Sequence, residues 1–348
     1  MNRFIMPGFP LLPRWVAGWI FAVLAGVAAA QPAEIRIGVV GPPTQPLNLL
    51  FSQKFYQEAV LAGYGKTYRV TLNRVASTPV AAQLFAAGQI EIAMLAAPAI
   101  SNMIEQGVAK KEELAIVGAG ITDGYGKHIS TYWAALNTSN IRSVADLRGK
   151  IIALNGFGTN SDAALRTMLL KHGLDPAKDV QIVELAFPNM EAALNQKRVD
   201  VAQFTVPFSA RVRAAGTTRV LFSFADALGG PSYSTVAVVK KAAAQKIRPA
   251  LEDFFKDFVA GLKWLGNPAN REQAIKIAAS GAGTPEAILR NYYLTDLDQG
   301  QDENLCVRAD WLQHPLNLLV ETKILKSAAD LRPLIDYSYL PRGGAACR

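Results

Sequence analysis

Val70-Thr71-Leu72-Asn73-Arg74-Val75 runs through a proline-started, alanine-rich segment into Ile90-Glu91-Ile92-Ala93-Met94-Leu95. About 110 residues later, Val180-Gln181-Ile182-Val183-Glu184-Leu185 runs through Ala192-Ala193-Leu194 into Val199-Asp200-Val201-Ala202-Gln203-Phe204. Each copy reads as strand, helix and strand, and each is followed by a loop that closes on a proline, Pro98 in one and Pro207 in the other. The separations between corresponding strands differ by one residue. A supersecondary unit written twice in this way points to two lobes of one design.

The rest of the chain follows the same grammar. Short β-branched runs at 35–40, 114–118, 151–154, 220–222 and 235–239 alternate with segments of helical periodicity, the pattern of an α/β protein. Leu251, Phe254, Phe255, Phe258, Leu262 and Leu265 recur at helical spacing and read as one buried helix face. The expected division is residues 31–128 for the first part of lobe I, 129–233 for lobe II and 234–348 for a C-terminal return to lobe I. The chain would cross at the strand Ser130–Leu136 and come back near Tyr233–Val239, making a two-strand hinge. Parallel strands bind ligands beyond their carboxyl ends, so two such sheets facing one another would share a cleft.

Composition narrows the function. With 50% hydrophobic and 18% charged residues the chain is neither disordered nor fibrous. The formal charge of +8 falls to +6 once Arg3 and Arg14 are set aside, and it lies in no block longer than Lys110-Lys111 or Lys240-Lys241, so nucleic acid is not an expected partner. Arg3 and Arg14 are the only charges in residues 1–30, where Trp15 to Ala30 is almost unbroken apolar sequence ending Val27-Ala28-Ala29-Ala30. That is the form of a cleaved export signal, with Gln31 first in the mature chain and a periplasmic destination.

No catalytic residue, metal site or cofactor is expected. His128, His172 and His314 are scattered, no G-x-S-x-G or H-E-x-x-H occurs, and the acidic run Asp296, Asp298, Asp302, Glu303 has Gln301 where a calcium loop needs glycine. Cys306 and Cys347 lie in no metal-ligand spacing, and in an oxidising compartment they could pair. The best local candidate for binding is Asn155-Gly156-Phe157-Gly158-Thr159-Asn160-Ser161, which ends a strand and opens a helix. Gly158 permits close backbone approach there, and Thr159, Asn160 and Ser161 bring hydroxyl, amide and N–H groups to a helix N-terminus that suits an anion. The competing reading is that one of the three only caps its own helix. Thr44 and Gln45 after the first strand, and Ser77 and Thr78 before Pro79, are further polar candidates, although Ser77 or Thr78 equally reads as a plain N-cap before a proline at the first helical position.

The run Ser143-Val144-Ala145-Asp146-Leu147-Arg148-Gly149-Lys150-Ile151-Ile152-Ala153, the turn that follows it, and Ala86-Ala87-Gly88-Gln89-Ile90-Glu91-Ile92-Ala93 resemble the substrate-binding proteins of nitrate, sulfonate and taurine ABC transporters. The resemblance covers most of residues 34 to 240. It implies a type II periplasmic-binding-protein fold, two Rossmann-like lobes, and a monomeric exported receptor that captures a small anion such as a sulfonate, nitrate or carboxylate. It also implies delivery to an inner-membrane permease with its ATPase. The family's cleft loops fall on Thr44 and Gln45, Ser77 and Thr78, Ala97 and Pro98, Thr159 to Ser161, and Thr205. The Gly41-Pro42-Pro43-Thr44 turn departs from the usual opening of the first loop. Related folds that share the Ala145–Lys150 phrase bind or act on thiamine pyrimidine precursors, which is the alternative reading.

Overall fold

The structure, a computed structural model, describes residues 31–125 and 128–347. The export segment 1–30 therefore lies outside the described residues. Strands in chain order are β1 (Ala33–Val39), β2 (Tyr68–Arg74), β3 (Ile92–Leu95), β4 (Leu114–Ala119), β5 (Ile121–Asp123), β6 (Tyr132–Leu136) and β7 (Ile151–Leu154). They continue with β8 (Gln181–Glu184), β9 (Val201–Phe204), β10 (Thr218–Ser223), β11 (Ser232–Tyr233), β12 (Val236–Lys240) and β13 (Gly300–Gln301).

One sheet has the order β2-β1-β3-β12-β4 and the other β8-β7-β9-β6-β10. In both, the first three strands run parallel and the last two pairings are antiparallel. The repeated segments thus take equivalent places, β2 with β8 and β3 with β9. Equivalent acids also do equivalent work. Glu91 accepts the Arg36 N–H at 2.7 Å and Asp200 accepts the Ile151 N–H at 2.8 Å, pinning the central parallel strand of each sheet, the first at its middle and the second at its start.

Burial explains the strand sequences. β3, β4 and β9 are buried along their whole length and are apolar runs except for Gln203, as strands covered on both faces must be. β8, at a sheet edge, is half-buried at Ile182 and Val183 and exposed at Gln181 and Glu184. One face of the first sheet meets the helix Arg248–Gly266, whose Leu251, Phe254, Phe255, Phe258, Leu262 and Leu265 are all buried. Each such side chain contributes about 1.5–3 kcal/mol, and Phe254 stacks on Phe51 at 4.8 Å. On the same helix, buried Asp257 accepts the Ala62 and Gly63 N–H groups and the Tyr68 hydroxyl, which fixes that helix to the turn before β2. Among the described residues no helix is long and apolar enough to cross a membrane.

The hinge differs from the sequence expectation. Within the expected crossing stretch Ser130–Leu136, Tyr132–Leu136 forms β6 inside the second sheet, and Val236–Lys240 forms β12 inside the first. The connection is a separate ribbon of order β11-β5-β13, in which Ser232 pairs with Asp123 and Gly300 with Thr122. The chain still passes between the sheets twice, between β5 and β6 and between β10 and β12, and β13 of the C-terminal segment adds a third strand to the ribbon without a further crossing. Farther along that segment, Cys306 and Cys347 are joined by a disulfide with their Cα atoms 5.2 Å apart, tying the last turn, Pro341–Cys347, to the body.

Candidate functional site

The carboxyl ends of β1, β3, β7 and β9 and the starts of β6 and β12 converge, because an antiparallel strand presents its beginning where its parallel neighbour presents its end. There the two sheets enclose a chamber of about 80 Å³ lined by Gln45, Thr78, Asn155, Thr159, Asn160, Ser161, Gln203, Thr205, Ser234, Thr235 and Gln299, with Ala96, Phe187 and Phe224 among its apolar walls. Since roughly 15 Å³ of such space holds one water, it has room for about five waters or one small polar group. None of the described residues that line it is charged. Val40, Gly41, Pro42, Asn155, Phe187 and Thr205 also line an adjoining groove of about 710 Å³ whose walls are mainly apolar, including Leu185, Val206, Phe208 and Ile288.

The turn after β7 is shaped by its glycines. A Cβ on Gly156 would lie 3.4 Å from the Ser77 side chain of the opposite loop, and Gly158, at φ +70°, would direct one at Pro79. At Gly158 it is the left-handed backbone, rather than lack of space, that favours glycine. Thr159 is the helix cap: its hydroxyl accepts the Asp162 N–H at 3.3 Å and donates to the Gly156 carbonyl at 2.7 Å. Capping by Thr159 leaves its two neighbours for other work. The Asn160 amide nitrogen donates to the Tyr233 carbonyl at 2.6 Å, and the Ser161 hydroxyl accepts from Gln203 Nε2 at 2.6 Å. Gln203 Oε1 in turn accepts the Asn155 N–H at 3.2 Å.

A second relay crosses the cleft. Gln45 Nε2 donates to Gln299 Oε1 at 2.9 Å, Gln299 Nε2 to the Thr205 hydroxyl at 3.2 Å, and the Thr131 hydroxyl also reaches Thr205 at 3.2 Å. The first loop, the C-terminal segment and the loop after β9 are thereby joined. The Thr78 hydroxyl caps nothing; it is buried without a partner, as are the oxygens of Asn155 and Asn160.

Of the residues singled out in the sequence, the chamber gathers Gln45, Thr78, Thr159, Asn160, Ser161 and Thr205. Thr44 lines the groove instead. Ser77 stands at the helix start facing Gly156, and Gly158 packs toward Pro79, so both serve the approach of the loops rather than the chamber wall. Ala97 and Pro98 are buried in the first turn of the helix Ala97–Glu105, and the lining position is Ala96. Sequence reasoning missed Gln299, Thr131, Ser234 and Thr235, and it quoted Asn155 and Gln203 without assigning them.

Two carboxyls at the ribbon are perturbed. Burial pushes Asp123 up to about 6 against the hydrogen bonds from Ser130 and Thr131. Burial likewise pushes Asp298, next to Gln299, up to about 6 against the N–H groups of Leu294 and Gln299. A carboxyl with a raised folded pKa binds its proton more tightly folded than unfolded. Its contribution is complete below the ordinary value near 4 and is lost as pH rises through about 6. Thermal unfolding should show each group adding about 1 kcal/mol at pH 5 relative to pH 7.5, and the Asp123→Asn, Asp298→Asn double variant should lose that difference. An unchanged difference would mean both carboxyls are ordinary.

Three solved structures place this geometry among known folds. The aliphatic sulphonate binding protein SsuA of Escherichia coli is 21% identical with TM-score 0.62, covering 86% of this chain and 91% of that chain. The alkanesulfonate-binding SsuA of Xanthomonas axonopodis pv. citri, bound to MOPS, is 21% identical with TM-score 0.65, covering 88% and 99%. The nitrate-binding protein NrtA of Synechocystis PCC 6803 is 14% identical with TM-score 0.62, covering 87% and 85%. Their likeness establishes the two-lobed type II periplasmic-binding-protein fold. No curated protein matches the chain. The model of the NMT1-like family matches residues 28–279, and the chain belongs to that family.

Proposed function

We propose that this chain is an exported solute-binding receptor whose two lobes close on a small solute in the chamber, do no chemistry on it, and deliver it to an ABC importer. The observation that carries the reading is the chamber's wall: polar side chains from both sheets and from the C-terminal segment meet there, and three of their oxygen atoms have no protein partner. Buried polar groups are paired in folded proteins, so orphans gathered at one cavity speak for a ligand. The first N–H groups of the helices Thr78–Ala86 and Asn160–Lys171 have no intrahelical acceptor and would meet oxygens of a bound solute. Sulfonate, nitrate and carboxylate are the classes that the resemblance implies. The similar proteins of Escherichia coli and Synechocystis PCC 6803 are periplasmic binding proteins, which supports export; an inner-membrane permease with its ATPase as partner and a receptor acting as a monomer belong to the same proposal.

The ribbon β11-β5-β13 is the natural pivot, with residues 31–128 and 234–348 on one side and 129–233 on the other. A change in compactness on solute binding, read by small-angle X-ray scattering, is the experiment that tests the reading.

A further inference from the structure

The Asn160 amide has its orientation fixed by what it touches. The Tyr233 carbonyl can only accept, so Asn160 Nδ2 faces it at 2.6 Å and Oδ1 is turned the other way. That oxygen is buried without a partner on a side chain only 5% exposed, and the residue lines the chamber. Asn155, on the same wall, also carries a buried oxygen without a partner. The Thr205 hydroxyl accepts from Gln299 and that of Ser161 from Gln203, so each keeps a hydrogen to give. Two of the residues that line the chamber thus carry unpartnered lone pairs, beside hydroxyl donors.

We propose that the solute's head group donates hydrogen bonds, carrying N–H or O–H groups for Asn155 and Asn160, and that its body is apolar and lies in the adjoining groove. This rests on the reading of the chamber as the solute site and narrows the solute within it. Nitrate or a simple sulfonate has only lone pairs to set against the two amide oxygens. Each acceptor left unpaired in a buried site weakens binding by about ten- to a hundredfold. A site built to bond an N–H group rejects a similar molecule that lacks one far more strongly than a slot rejects a missing methylene. The groove supplies the other half of the match, because Asn155, Phe187 and Thr205 line both spaces, so a head in the chamber continues into mainly apolar surroundings, whose charged members are Glu184 and Arg211, the latter paired with Glu191.

Matched probes separate donor from oxyanion at constant size: benzamide against benzoate, and benzenesulfonamide against benzenesulfonate, titrated calorimetrically into the exported chain. The N–H member of each pair should bind at least about tenfold more tightly. Asn155→Leu should bring each pair within a few-fold, and Asn155→Asp should widen the gap by setting a charge against the oxyanion. Tighter binding of benzoate and benzenesulfonate, abolished by filling the chamber through Thr205→Trp, would overturn the donor preference and leave the chamber as the solute site. Binding that is indifferent to Thr205→Trp, or no binding by any of the four, would overturn the site and the preference together.

Discussion

Thr205→Trp should lower solute affinity by about a thousandfold, equivalent to roughly 4 kcal/mol, while leaving the fold intact. Thr205 is 5% exposed and stands where the relay from Gln45 and Gln299 meets the second sheet. An indole at this position fills a chamber of about 80 Å³ and meets the opposite loop. The side chain belongs to a cleft between two sheets whose apolar clusters are mostly their own, with Val206 and Ala163 of the second lobe reaching into those of the first. Thermal unfolding therefore has to show that parting the lobes around the ring leaves both cores in place. Thr205→Ser, which keeps the hydroxyl and adds nothing, should stay within a few-fold of the parent. Calorimetric titration with whichever probe binds the parent, beside thermal unfolding of all three chains, checks both statements. Near-parental affinity in Thr205→Trp would place the solute elsewhere.

Reduction of the Cys306–Cys347 disulfide should destabilise the chain by about 4 kcal/mol. The bridge spans 41 residues, and in the chain-entropy model a loop of that length loses roughly that much freedom in the unfolded state. The effect is concentrated where the tail meets the body. Cys347 packs against the cluster that contains Tyr339, Leu340 and the helix Arg248–Gly266. Gly344 there has φ +71° and a neighbour, Tyr337, that leaves no space for a Cβ. Denaturant titration of the oxidised chain and of a Cys306→Ser, Cys347→Ser variant measures the difference. Equal midpoints would mean that the tail contributes nothing to the fold.

The sheets were legible in the sequence because their information is local. Apolar runs such as Val199–Phe204, with a glycine or acid at the entry, announce strands without reference to anything distant, and the repeat announces how many times the unit is used. The ribbon was not legible, since strands as short as Ser232–Tyr233 and Gly300–Gln301 are too brief to carry a period. The apolar run Ser130–Leu136 shows that a strand exists and not which sheet receives it, and the fold places β6 in the second sheet. The site was legible at its helix ends and obscure elsewhere. Which of Thr159, Asn160 and Ser161 caps the helix depends on a boundary one residue wide, and the same uncertainty placed Ala97 where Ala96 lines the wall. Gln299 reaches Gln45 across 254 residues of sequence, a pairing that no local pattern encodes.

The central claim is that two lobes close on a solute at this chamber, and small-angle X-ray scattering tests it most directly. The exported chain is measured alone and with nitrate, benzenesulfonate, benzoate, benzenesulfonamide and benzamide, and Thr205→Trp is measured beside it. The account predicts a smaller radius of gyration for the parent with at least one of these solutes and no change for Thr205→Trp with any. A parent whose radius is the same with every solute, or a variant that compacts as the parent does, would contradict it.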